Sequence, residues 1–118
     1  MRALVTGGAG FIGSHLVDRL VSQGDDVVVV DNLSSGVLSF IQSHIDSGAV
    51  EFCNIDLKDL DSLSSVMNGV DMVYHLAANP DIRLGTRITD TDLKEGTIAT
   101  YNVLESMRLS GVKKIAFA

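Results

Sequence analysis

Apolar residues fall along this chain in short unbroken runs, separated by stretches in which they recur every three or four positions. The two patterns alternate, and each predicts a different element. Ala3-Leu4-Val5 and Val27-Val28-Val29-Val30 have no polar face, as expected of strands buried on both sides of a parallel sheet. Between them, Ile12, Leu16 and Leu20 with Val17 and Val21 repeat at helical spacing over Phe11 to Gln23, and Gly24 supplies the stop. After the polar turn Asn32 to Gly36, the residues Phe40, Ile41, His44 and Ile45 share the rough face of a short helix. The pattern then predicts a third strand over Val50 to Asn54, a short helix over Asp61 to Met67 and a fourth strand over Met72 to Leu76. A long helix follows over Asp92 to Leu109, stopped by Gly111, and a fifth strand starts at Lys114 and runs to Ala118. Strands alternating with helices at this spacing predict right-handed βαβ units around a parallel sheet, with no internal repeat, low-complexity tract or linker.

Composition narrows the class further. A chain of 118 residues is the size of one domain, and 46% hydrophobic with 20% charged residues excludes a wholly disordered chain. The net charge of −6 disfavours broad binding to nucleic acid or to an anionic membrane surface, though not a local anion site. A single cysteine, Cys53, rules out an internal disulfide framework and a cysteine-based zinc cluster, and fits a reducing compartment; the cytoplasm is the expected location. The apolar run before Thr6-Gly7-Gly8 is too short for a signal-peptide core, and no stretch approaches the roughly 18 to 20 apolar residues of a membrane span, so a soluble chain is expected.

The chemistry concentrates between the first strand and the first helix. Gly7, Gly8, Gly10 and Gly13 satisfy both a Gly-x-Gly-x-x-Gly and a Gly-x-x-Gly-x-x-Gly spacing, and they do so in the strand–turn–helix context that gives such a motif its meaning. Glycine permits the sharp turn, lets backbone approach a pyrophosphate without a Cβ in the way, and allows close helix–strand packing. The helix N-terminus then offers unpaired N–H groups at the positive end of its dipole, so an acidic protein can still hold an anion. Asp31 lies eighteen residues past Gly13 at the tip of the second strand, where a carboxylate accepts the adenosine ribose hydroxyls. No Arg or Lys occurs from Asn32 to Gly36 to offset the charge of a 2′-phosphate, so NAD is favoured over NADP. No Gly-Lys-Ser/Thr follows the loop, which excludes a phosphate-loop NTPase, while a methyltransferase-like nucleoside site shares the acidic residue after strand two. The fold class is therefore α/β, a Rossmann-type doubly wound parallel sheet with strand order 3-2-1-4-5.

At these residues the chain resembles a known family. VTGGAGFIGSHL followed by VVVVDNLSSG, and then NIDLKD, VYHLAANPDIR and ATYNVLESM, is similar to the N-terminal part of the extended short-chain dehydrogenase/reductases. Within them it most resembles the UDP-glucose 4-epimerase branch of the NAD-dependent epimerase/dehydratases. The resemblance implies pyrophosphate contacts at Gly7, Gly10, Phe11, Ile12 and Gly13, and an adenosine side at Asp31, Asn32, Ser35 and Gly36. It further implies that Asp56 and Leu57 flank the adenine and that Leu76, Ala77 and Ala78 pass beneath the cofactor. Asp56 has the alternative of starting the turn after strand three, and Ala77-Ala78 that of ordinary close packing.

Two departures from the family pattern stand out. Gly96-Thr97-Ile98-Ala99-Thr100 occupies the place of an Asn-Val-x-x-Thr pattern, so one cofactor contact that the resemblance implies is missing or replaced. The family's Ser-rich segment, Tyr-x-x-x-Lys pair and sugar-nucleotide domain are not found in 1–118: Tyr74 is followed four residues later by Ala78, and Tyr101 by Glu105. In the family that tyrosine is the base and the lysine lowers its pKa and orients the cofactor. Both tyrosines here read as structural, as does Cys53. His15, His44 and His75 lie on separate segments without ligand spacing, and Asp25-Asp26 and Asp90 to Glu95 read as solvated charges. The expectation is the NAD-binding portion of a sugar-nucleotide epimerase or dehydratase, inactive as it stands, its sugar-nucleotide substrate bound only in a longer parent. The competing class is a stand-alone NAD-binding or sensor module, and a third is a truncated product without function. The open edge of strand five predicts self-association, such as a homodimer, or marginal folding.

Overall fold

The computed structural model describes residues 1–77 and 93–118, with the backbone alone for 93–95. Five parallel strands form one sheet: β1 (Arg2–Thr6), β2 (Asp26–Val30), β3 (Val50–Cys53), β4 (Met72–His75) and β5 (Ile115–Phe117). Their order is β3-β2-β1-β4-β5, as the sequence predicts. Helices α1 (Phe11–Ser22), α2 (Gln42–Asp46), α3 (Leu60–Ser65) and α4 (Ala99–Ser110) connect them, with a 3-10 turn over Leu38–Phe40.

The unbroken apolar runs are explained by burial on both faces. Leu4, Val28, Val30 and Val73 point to one side and pack with Leu63, Met67, Val103 and Met107 from α3 and α4 and the segments that flank them. Ala3, Val5, Val27 and Val29 point to the other side and meet Val17 and Leu20 of α1 and Ile41 before α2. Burying each of the Val, Leu, Ile and Met side chains among these contributes on the order of 1.5–3 kcal/mol, so the two layers are the main source of stability.

Three elements differ from expectation. The long helix expected over Asp92 to Leu109 begins as a π-helical turn, Leu93–Ile98, and becomes α-helical at Ala99; Gly111 ends it in the left-handed region at φ 74°. The helix expected from Asp61 starts one residue earlier, because the Asp59 side chain accepts the Ser62 N–H at 3.2 Å and caps the first turn. On α1, Ile12 falls outside the buried face of Gly13, Ser14, Val17 and Leu20 and is 69% exposed, lining the cleft instead of the core. Ala78 lies outside the described residues, as does the acidic run Asp90 to Glu95 as far as its side chains are concerned.

Candidate cofactor site

All parallel strands end at the same side, and there the loops after β1, β2, β3 and β4 enclose a cleft of about 460 Å³. That is within the usual range for a cofactor or small-molecule site. Its floor is the glycine turn. Gly7 takes φ 72°, and a Cβ on it would stand 2.9 Å from the Ala77 backbone; a Cβ on Gly13 would stand 2.1 Å from the Gly7 carbonyl oxygen. Both glycines are thus required by the protein itself. Gly10 is different: a Cβ there would meet only the Gly7 oxygen, at 3.2 Å, and its open side lines the cleft. A Cβ at Gly10 would therefore need only a small adjustment of the loop, and its other side would project toward the cleft.

Gly10 is also the N-cap of α1, supplies no side chain to the first turn, and is followed by no acidic residue in that turn. The first N–H groups of a helix have no intrahelical partner. A backbone cradle of positive potential therefore opens into the cleft, flanked by Phe11 and Ile12, which are exposed at its mouth.

Asp31 faces this cradle from the end of β2. One carboxylate oxygen accepts the Ala9 N–H at 3.1 Å and the other the Leu33 N–H at 2.8 Å, which fixes the carboxylate against the glycine loop. The Asn32 side chain accepts the Ser34 N–H at 3.0 Å, and between these two turns Leu33 is held at φ 61°, an unfavourable value for a residue with a Cβ. The loop then closes at Gly36, where a Cβ would come within 2.9 Å of the Asp31 carboxylate. Each oxygen keeps further acceptor capacity, and Asp31 lines the cleft with Asn32, Ser35 and Gly36.

The structure thus brings together Gly7, Gly10, Phe11, Ile12, Gly13, Asp31, Asn32, Ser35, Gly36, Leu57, Leu76 and Ala77 around one cleft. The Asp56 side chain is engaged in its own turn, accepting the Lys58 N–H at 2.9 Å with the Lys58 ammonium 3.6 Å away. Val30, Ser34 and Ile55 also line the cleft and were not singled out by sequence. Ser34 was within the DNLSSG string, and Ile55 is the first apolar residue after β3; neither carries a distinguishing chemical signal.

A buried polar chain under the cleft was equally invisible in the sequence. The Thr6 hydroxyl oxygen accepts the Leu76 and Ala77 N–H groups at 3.1 and 3.2 Å. Its own proton is then directed to His75 Nδ1 at 2.6 Å, which leaves the ring proton on Nε2 to be donated to Thr100 Oγ1 at 3.0 Å. Burial holds the His75 pKa below its ordinary 6.5, so the ring is neutral and this arrangement is stable near neutrality. The other histidines are elsewhere: His15 packs edge-on against Phe11, and His44 pairs with Asp18 at 2.6 Å. Cys53 is half-buried, with its thiol pKa pushed up by burial and by Glu51.

Residues 3–118 match the family model described as the NAD dependent epimerase/dehydratase family. The chain belongs to that family. A UDP-galactose 4-epimerase crystal structure is 49% identical, superposes with a TM-score of 0.86, and is matched over 99% of this chain and 37% of its own. The UDP-glucose 4-epimerase of Mycolicibacterium smegmatis is 38% identical over 116 residues, 98% of this chain and 37% of that protein. The UDP-glucose 4-epimerase of Thermus thermophilus, solved in complex with NAD, is 34% identical with a TM-score of 0.87, covering 98% of this chain and 36% of that one. The chain thus spans little more than a third of the length of these relatives. In this epimerase/dehydratase chain the departure Gly96-Thr97 falls within the π-helical turn, where both residues are exposed and a Cβ on Gly96 would meet nothing within 4 Å. No helix among the described residues is long and apolar enough to cross a membrane.

Proposed function

We propose that this chain is the NAD-binding portion of a sugar-nucleotide epimerase of the UDP-glucose 4-epimerase type. The observation that carries the reading is the pairing of the open Gly10 cradle with the anchored Asp31 carboxylate across one cleft. The α1 N-terminus binds the pyrophosphate through its free N–H groups, with Gly10 leaving room for close approach. Asp31 accepts the ribose hydroxyls of the adenosine half. A 2′-phosphate would bring negative charge against this carboxylate with no Arg or Lys from Asn32 to Gly36 to balance it, so NADP is refused. Ile55 and Leu57 give the adenine an apolar wall, and Leu76 and Ala77, held by Thr6, support the nicotinamide half.

When bound, NAD supplies reversible hydride acceptance from a sugar carbon. The residues of 1–118 bind and orient it; neither Tyr74 nor Tyr101 has the lysine four positions on that would make it the proton acceptor. We therefore assign the proton-transfer pair and the sugar-nucleotide site to sequence outside 1–118, and expect the 118-residue chain alone to be inactive.

Two experiments test these assignments. Calorimetric titration of the chain is expected to show uptake of NAD and refusal of NADP; equal affinity for the two sinks the role of Asp31. Reading the gene past the codon for Ala118 separates this reading from that of a stand-alone module, since a frame continuing into a Tyr-x-x-x-Lys supports the enzyme and a stop codon supports the module.

A further inference from the structure

We infer that Asn102 of α4 is a positioning residue that sets the adenine-side wall of the cleft. Asn102 is buried at 6% exposure on the inner face of the helix with Ala99, Val103, Ser106 and Met107, and Ser106 meets its own polar need by donating to the Val103 carbonyl. Asparagine is a poor helix former and an expensive core residue unless its amide is bonded. Neither helix formation nor packing explains it at this position. Its Nδ2 donates to the Leu57 carbonyl oxygen at 2.8 Å, a bond that crosses from α4 to the loop between β3 and α3.

That loop carries Ile55 and Leu57 into the cleft. On its solvent side it is held by its own turn, with the Asp59 N–H donated to the Asp56 carbonyl at 2.9 Å and the Lys58 N–H to the Asp56 carboxylate. On its inner side the bond from Asn102 fixes the peptide of Leu57, and with it the plane in which an adenine would lie. Two residues earlier on α4, Thr100 reaches the opposite wall through His75 and Thr6. One helix, itself absent from the cleft lining, therefore braces both walls by polar contacts at separate points.

This inference rests on the NAD reading of the cleft, and the test separates the two. Asn102→Leu keeps the volume and removes the donor, while Asn102→Ser keeps a shorter donor in case the first variant folds poorly. Binding of NAD, of nicotinamide guanine dinucleotide and of ADP is measured by calorimetry on the full chain, with thermal unfolding followed in parallel. Loss of the brace is expected to weaken NAD and ADP about tenfold, roughly the worth of one positioned hydrogen bond, and to collapse the preference for adenine over guanine. A variant that weakens all three ligands equally, or only lowers the unfolding midpoint, overturns the positioning role. A wild-type chain that binds neither NAD nor ADP overturns the NAD reading and this inference with it.

Discussion

At the amino end of the sheet, charges are matched within the chain. Arg2 opens β1 and pairs with Asp26 at the start of β2 and with Glu51 at the start of β3, the latter at 3.0 Å, while its backbone N–H is donated to Asp71 just before β4 at 2.8 Å. At the carboxyl end of the same strands, the α1 N-terminus has no side-chain cap and no acidic residue, Phe11 is 72% exposed, and the Asp31 carboxylate holds two backbone amides with capacity left over. One end is closed upon itself and the other is arranged for something outside the chain. Parallel strands make this inevitable in kind, since they gather the helix N-termini and the variable loops at one side.

The comparison breaks most severely at the glycine turn. Gly13→Ala places a methyl group against backbone and is expected to cost more than about 3 kcal/mol in denaturant unfolding, because the loop cannot give way without moving β1 or α1. Gly10→Ala sharpens it, with a stability change below about 1 kcal/mol and a loss of NAD affinity of about tenfold or more by calorimetry. Equal destabilisation by both would mean that Gly10 serves the fold and not the ligand.

Next in size is Asp31→Ala, expected to weaken NAD by roughly ten- to hundredfold and to bring NADP to parity. A smaller effect comes from pH. His75 is buried and neutral, so the unfolded chain binds its proton more readily than the folded one, and stability rises with pH. The contribution is complete above 6.5 and is lost as pH falls through the lowered folded value, as the Thr6 and Thr100 bonds are disrupted. The unfolding midpoint is expected to drop between about pH 7 and 5, with a smaller drop in His75→Gln. The least effect belongs to the amino end: Arg2→Ala should cost about 1 kcal/mol or less, shrink with added salt, and leave NAD affinity unchanged.

The local sequence is most legible where one principle acts alone. The apolar runs announced strands buried on both faces, and the glycine spacing before a periodic segment announced a strand–turn–helix. Asp31 stood out because it lies at the tip of the second strand, and the structure places it in the cleft lining. The start of the last helix was not legible, since periodicity cannot tell a π-helical turn from an α-helical one. Asp56 illustrates a different limit: a carboxylate in a turn has the same signature whether it meets a ligand or its own backbone.

By itself the sequence determined the strands, their burial, the glycine turn and the acidic residue at the tip of the second strand, because each depends on neighbours within about one turn or one strand. Tertiary structure alone decided that Gly13 is demanded by the fold while Gly10 is left open, since only the approach of Gly7 to α1 distinguishes them. It also decided that Thr6, His75, Thr100 and Asn102 form a buried polar bracing beneath the site. The bonds of that bracing join residues 25 to 69 positions apart, and a polar side chain carries no mark in sequence of the distant partner that makes its burial tolerable.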